Sequence, residues 1–451
     1  FWLVYTDVKR FDGAFKDAHN YIVTCDTIDG EWSDPTYVTS SGFDPSLFHD
    51  SDGRKWFVNM RWNHRGPGSG LNPAHDAFDG IEAQEWHPER GLIGEPQTIF
   101  TGSSLGLTEA PHLFRRGDWI YLTVAEGGTG YDHAVTMARA RSVLGPYEMH
   151  PDTHLMTTRF APDHPLQRVG HGQYVETPTG EAYHTFLCGR PLPGRFCPLG
   201  RETGLARLDW RPDGWPVLAG GGLVPPVTLP AAAVRQADAP LRRRLDGAVL
   251  PEEFQWLRTP HPDRLFTLTG DCLRLTGRES LGSWFEQALV ARRQEHHAYR
   301  AETTVDCDPP NWQRAAGLIT YYNRHKFHAA LVTRDPSYGR CLSILSCLGD
   351  WPGEALTFHA KVPLGAGLVH LAVEVDGALQ RFFVATGDVA PTAVGPVLDA
   401  SLISDEGGRG EHANFTGAFV GMVAHDLTGQ GWQADFARFD YLPGRLGGFG
   451  T

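Results

Sequence analysis

"FDPSLFHDSDGRKWFVNMRW", residues 43–62, is the stretch whose reading decides the fold. It joins a carboxylate and a proline to a short apolar segment, an Asp-Gly turn and an aromatic-rich strand. Asp-Pro by itself is a frequent turn opener, so Asp44 read in isolation is only the acid of a turn. The pattern recurs, however. "TEAPHLFRRGDWIYLTVAEGG" (108–128) and "GHGQYVETPTGEAYHTFLC" (170–188) repeat the inner segment, the turn and the aromatic strand. Each copy is followed by more strand, in "GIEAQEWHPERGLIGEPQ" (80–97), "HAVTMARARSVLGPYE" (133–148) and "GLARLDWRPDGWPVL" (204–218). A repeating unit of about four short strands is the signature of propeller blades. The competing architecture, a β-sandwich with accidental self-similarity, leaves the shared turn-plus-aromatic pattern unexplained.

The chain opens on "FWLVYTDVKR" (1–10) and "YIVTCDTIDGEWSDPTYV" (21–38), which match the later part of the unit without its inner segment. The expectation is a chain that starts inside a blade, its ring unclosed. Residues 221–250, "GGLVPPVTLPAAAVRQADAPLRRRLDGAVL", are rich in Pro, Ala and Gly without a period and read as a linker. From Pro251 to Thr451 short alternating strands follow one another closely, the pattern of a β-sandwich. The expected organisation is therefore all-β: a partial propeller at 1–220, a linker at 221–250 and a sandwich at 251–451. A chain of 451 residues is too long for one ordinary core, and 52 Gly and 32 Pro suit many turns.

With 40 Lys+Arg against 53 Asp+Glu, the net charge of −13 argues against nucleic acid as a partner. No apolar run approaches the roughly 20 residues of a membrane span. The cysteines at 25, 188, 197, 272, 307, 341 and 347 are scattered, without C-x-x-C spacing, as reduced thiols of a cytoplasmic protein would be.

In a propeller the first strand of each blade lines the central channel, so its leading residues converge. Asp44, Glu109 and His171 are thus candidates for one pocket. Two carboxylates around a sugar-sized pocket are the minimal equipment for glycoside hydrolysis. One serves as a protonated acid, and a neighbouring carboxylate raises its pKa by like-charge repulsion.

These motifs, together with "CPLGRETGLARLDW" (197–210), "GRESLGSWFEQALVARRQ" (277–294) and "FTGAFVGMVAHDL" (415–427), resemble the β-xylosidases of glycoside hydrolase family 43. The resemblance spans nearly the whole chain. It implies a five-bladed propeller, here without its first blade and part of its second, followed by a concanavalin-like β-sandwich. The implied activity is inverting, exo-acting removal of xylose from xylo-oligosaccharides. An α-L-arabinofuranosidase or a bifunctional enzyme of the same family stays open, as does a non-catalytic carbohydrate-binding protein.

On the matching positions the resemblance makes Glu109 the general acid and Asp44 the carboxylate that tunes and orients it. It implies Arg201 as a binder of xylose hydroxyls, His171 as the channel histidine, Trp62 as an aromatic wall and Phe415 as the sandwich residue that closes the pocket. The family's general base is an aspartate of a first-blade "DPS" motif, expected roughly 80 residues before Phe1. Asp44 also lies in a "DPS", but the partial blade before it and the continuation "FHDSDGRKWFVNMRWNHR" mark it as the third-blade version. No cofactor is expected, although some relatives hold a calcium ion against the channel histidine, which leaves Ca²⁺ open. A homodimer or homotetramer is a further expectation from the resemblance.

Overall fold

The computed structural model describes the chain except residues 11–12, 72–76, 231–237, 351–352, 388, 409–414 and 445–451. The described chain divides into two compact units. One comprises Phe1–Gly189 with Glu202–Ala232, the other Arg190–Arg201 with Ala233–Thr451.

The first unit is built from antiparallel sheets in a propeller-like arrangement. The strands Trp2–Arg10, Asp17–Thr24 and Thr36–Thr39 form a three-stranded sheet. Two four-stranded meanders follow, from Gly42–His49 to Gly91–Phe100 and from Glu109–Arg116 to Glu148–Thr157. A five-stranded sheet closes the series, with Gln167–Gly170 as its inner strand and Pro216–Leu218 at its outer edge. Four sheets are described, where the expectation is a five-bladed propeller without its first blade and part of its second. The described strands suffice for three full blades and one three-stranded sheet.

Alternation within the aromatic strands explains why the sheets stack. In Lys55–Trp62, Trp56, Val58 and Met60 project to one face and meet Ile120, Leu122 and Val124 of the next sheet. Phe57, on the opposite face, packs with Ile22, Val38 and Trp86 towards the preceding sheet. Tyr121 likewise turns away from its neighbours Ile120 and Leu122, and joins Ala182, Phe186 and Ala206 of the last sheet. A period of two therefore feeds two interfaces from a single strand. Such strands are apolar on both faces, which is why the quoted motifs read as nearly continuous hydrophobic runs.

The second unit is a sandwich of two antiparallel sheets. One orders Phe266–Leu268, Leu273–Thr276, Gln433–Pro443, Ala298–Asp306, Val369–Asp376, Leu379–Thr386 and Thr392–Asp399. The other orders Gln255–Trp256, Ala288–Arg293, Phe419–Asp426, Arg314–Asn323, Lys326–Asp335, Gly339–Leu348 and Leu356–Pro363. Leu318, Val332, Phe382, Phe436 and Phe439 are among the buried residues that fill the space between them. Two segments depart from the boundaries expected above. Leu241–Arg244, placed in the linker, pairs with Gln433–Pro443, and Leu245 is buried in the sandwich core. Residues 190–201, placed in the first domain, group with the sandwich. Of the expected linker, 231–237 lie outside the described residues. Among the described residues no helix is long and apolar enough to cross a membrane.

Candidate active site

Asp44, Glu109 and His171 stand at the inner strands of three successive sheets, and all three positions share one backbone device. The pairing register slips between Phe43 and Ser46, between Glu109 and His112, and between Gln167 and Gly170. Such bulges bend a strand and re-aim the side chains around the extra residue. Left-handed backbone accompanies each: φ is 53° at Asp44, 53° at Ala110 and 40° at His171. Non-glycine residues adopt that conformation only when their surroundings impose it, and they concentrate at functional sites.

The surroundings are visible in the hydrogen bonds. Ser46, the serine of "DPS", donates from Oγ to the carbonyl of Pro111 at 2.6 Å, pinning the Asp44 strand to the Glu109 strand. Thr108, just before Glu109, donates to Glu126 at 2.9 Å. Glu126 is wholly buried and also accepts from the Ser103 amide (2.7 Å), the Ser103 hydroxyl (2.8 Å) and Thr136 (2.7 Å). A buried carboxylate supplied with four donors is a rigid anchor, and it lies beside the candidate acid. Glu109 itself is 7 % exposed.

The glycines around His171 answer to close approach. A Cβ at Gly170 would fall 2.4 Å from the His133 ring, and one at Gly172 would fall 1.8 Å from the carbonyl oxygen of Thr185. "GHG" is therefore a steric requirement of the inner strand.

His171 Nδ1 lies 3.9 Å from Asp44 Oδ2, so the structure brings these two expected residues together. It also places two histidines there that sequence reading missed. Burial, then the neighbouring charges of His171 and His184, pushes His112 down to about 4. Burial does the same to His184, despite its bond to the Thr185 carbonyl. Both are neutral imidazoles near neutral pH, and the His184 ring bonds Thr123 Oγ1 at 3.0 Å. The only signal for His112 was its position three residues after Glu109; His184 carried none, because its contact crosses between sheets.

Trp62 packs against Phe43, the residue before Asp44, and edge-on against Phe78. Its indole N–H donates to Ala14 O at 2.8 Å, and the Lys16 ammonium lies 4.6 Å from the ring centre. Arg201 and Phe415 belong to the second unit, where the guanidinium lies 4.0 Å above the Phe415 ring. Among the described residues no group of three or more His, Cys, Asp or Glu side chains is placed to hold a metal ion.

Residues 1–216 match the model for glycosyl hydrolases family 43, and residues 244–442 match that for the β-xylosidase C-terminal concanavalin A-like domain. The xylosidase/arabinosidase 43B of Humicola insolens is 48 % identical over 98 % of this chain and 82 % of its own length. The chain belongs to glycosyl hydrolases family 43. The β-xylosidase of Bacillus subtilis (strain 168) is 42 % identical to this family 43 protein, over 98 % of it and 84 % of the relative. The crystal structure of xylan β-1,4-xylosidase from Bacillus halodurans C-125 superposes with a TM-score of 0.90 at 40 % identity, over 98 % of this chain and 84 % of that one.

Proposed function

We propose that this family 43 protein is an inverting exo-β-1,4-xylosidase that releases xylose from the non-reducing ends of xylo-oligosaccharides. The observation that carries the proposal is the trio Asp44, Glu109 and His171, at or just after the bulges of three successive inner strands. In this reading Glu109 protonates the departing glycosidic oxygen. Its burial favours the neutral acid, and a neighbouring Asp44 carboxylate adds like-charge repulsion in the same direction. Arg201 binds sugar hydroxyls, while Trp62 and Phe415 offer aromatic faces to the C–H surfaces of the ring. Water attacks the anomeric carbon from the opposite face as the C–O bond to the aglycone breaks, inverting the centre. Inversion needs a second carboxylate, about 6.5–9.5 Å from the acid, as the base that activates this water. The assembly in this reading is a homodimer or homotetramer.

In the full-length protein, Glu109→Gln should lower kcat on xylobiose by about 10²–10⁴-fold. The loss on p-nitrophenyl β-xyloside should be smaller, because nitrophenolate leaves without a proton. Unchanged xylobiose hydrolysis would remove Glu109 from the role. Proton NMR of the first product should show α-xylose, and β-xylose would reject inversion. Binding of xylo-oligosaccharide with no turnover by the full-length protein would leave a carbohydrate-binding protein instead.

An arabinofuranosidase activity is the second reading, favoured by the dual name of the Humicola relative. Initial rates on p-nitrophenyl β-xyloside and α-L-arabinofuranoside decide between one activity and two.

A further inference from the structure

The backbone beside Phe415 and Arg201 is held by a buried network of the sandwich unit. The Tyr322 hydroxyl donates to Asp405 Oδ1 at 2.6 Å and accepts the backbone N–H of Thr416 at 3.1 Å. The same Asp405 oxygen accepts the N–H of Gly417 at 3.2 Å. The two amides that follow Phe415 are thus fixed by one phenol and one carboxylate, both buried. Beneath them Lys326, wholly buried, donates to Ser404 O at 3.0 Å and lies 4.1 Å from the centre of the Tyr322 ring. Burial and the Asp405 charge push the Tyr322 hydroxyl well above its ordinary range, so it keeps its proton and remains a donor.

The Arg201 side is stitched to the same place. The Cys197 amide donates to Glu406 at 2.7 Å, Asp405 N–H to Cys197 O at 3.3 Å, and Ala418 N–H to Pro198 O at 2.7 Å. Gly200 and Gly417 meet backbone to backbone: a Cβ on Gly200 would fall 2.4 Å from the Gly417 nitrogen. Both strands of this contact therefore arrive at the Arg201–Phe415 stack already fixed.

We infer that Tyr322 and Asp405 are positioning residues for substrate binding, holding the Phe415 ring against the Arg201 guanidinium. The inference rests on the reading that Phe415 and Arg201 meet the sugar. Tyr322→Phe keeps the ring and its packing on Lys326 while deleting the hydroxyl. In the full-length protein it should raise KM for xylobiose about 5- to 20-fold, the size of a lost buried hydrogen-bond partner, with kcat changed far less. Asp405→Asn, which keeps the shape and one acceptor oxygen, should give a smaller rise of the same kind. Tyr322→Phe combined with Phe415→Ala should be no worse than Phe415→Ala alone, because coupled residues are non-additive. An unmoved KM with a lowered Tm, or losses that multiply in the double variant, would overturn the inference. Amide exchange separates the two proposals. If the full-length protein hydrolyses no xyloside, the functional reading falls. Exchange at Thr416 and Gly417 then still decides the network: at least tenfold faster in Tyr322→Phe supports it, and unchanged exchange overturns it.

Discussion

The inner strands of the propeller-like unit and one hairpin of the sandwich are made of similar residues and are built to opposite ends. In the sandwich, Lys326–Asp335 pairs with Gly339–Leu348 through ten consecutive partners without a slip. In the propeller-like unit each inner strand named above slips at its candidate site residue or, for His171, just before it. Left-handed non-glycine residues follow the same division. Asp44, Ala110, Thr153 and Arg168 lie inside strands of the first unit, with Leu107 and His171 in its connections, whereas Arg195, Arg258 and Glu354 of the second all lie in connections. Regular pairing maximises burial and hydrogen bonding, and so supports stability. Broken pairing gives up some of both to aim a side chain.

Five substitutions can break or sharpen that contrast. The largest effect belongs to the regular unit. Phe436→Ala empties a wholly buried site in the sandwich core and should destabilise that unit by about 3–5 kcal/mol in denaturant unfolding. A change below 1 kcal/mol would mean the sandwich core is not close-packed there.

Next comes a matched pair of glycines. Gly317→Ala would place a Cβ 2.0 Å from Ala330 O in the sandwich, and Gly172→Ala one 1.8 Å from Thr185 O beside His171. Each should cost about 1–3 kcal/mol or more. Gly172→Ala alone should also lower kcat/KM at temperatures where the protein stays folded. Equal kinetic losses from both would erase the distinction between the units.

A matched pair of histidines follows. His184 of the first unit and His328 of the second are both held down to about 4 by burial. The unfolded chain takes up a proton near the ordinary 6.5, so each contributes stability that is full above that pH and is lost as pH falls towards 4. Calorimetry between pH 7 and 4 should show both units softening, and His328→Gln should flatten only the sandwich transition. A transition temperature insensitive to pH over that window would contradict both burials.

The smallest effect is expected at Ser46→Ala, which removes the bond to Pro111 O. It should cost about 1 kcal/mol of stability together with a several-fold fall in kcat/KM. Loss of stability alone would make the serine a staple with no part in aiming Asp44.

Much of this was legible in the chain because it depends on local pattern. The blade repeat shows in sequence because each aromatic strand must feed two interfaces, and Asp44, Glu109 and His171 are candidates because they head their repeats. The linker boundary was misread at Leu241–Arg244, because "LRRR" carries no apolar alternation and its strand exists only through pairing with Gln433–Pro443. Residues 190–201 continue a propeller motif in sequence yet group with the sandwich, held there by backbone bonds to residues more than 200 positions away.

The sequence by itself determined which residue types head each blade and which strands are apolar on both faces, since periodicity and turn chemistry are properties of neighbours in the chain. Only the tertiary structure decided that Asp44 faces His171, that His112 and His184 are buried beside them, and that Tyr322 and Asp405 hold the backbone after Phe415. Those contacts join segments tens to hundreds of residues apart. Their geometry is set by bulges and packed sheets, which no local pattern encodes. The stretch "FDPSLF" names a carboxylate, and the slipped register between Phe43 and Ser46 aims it.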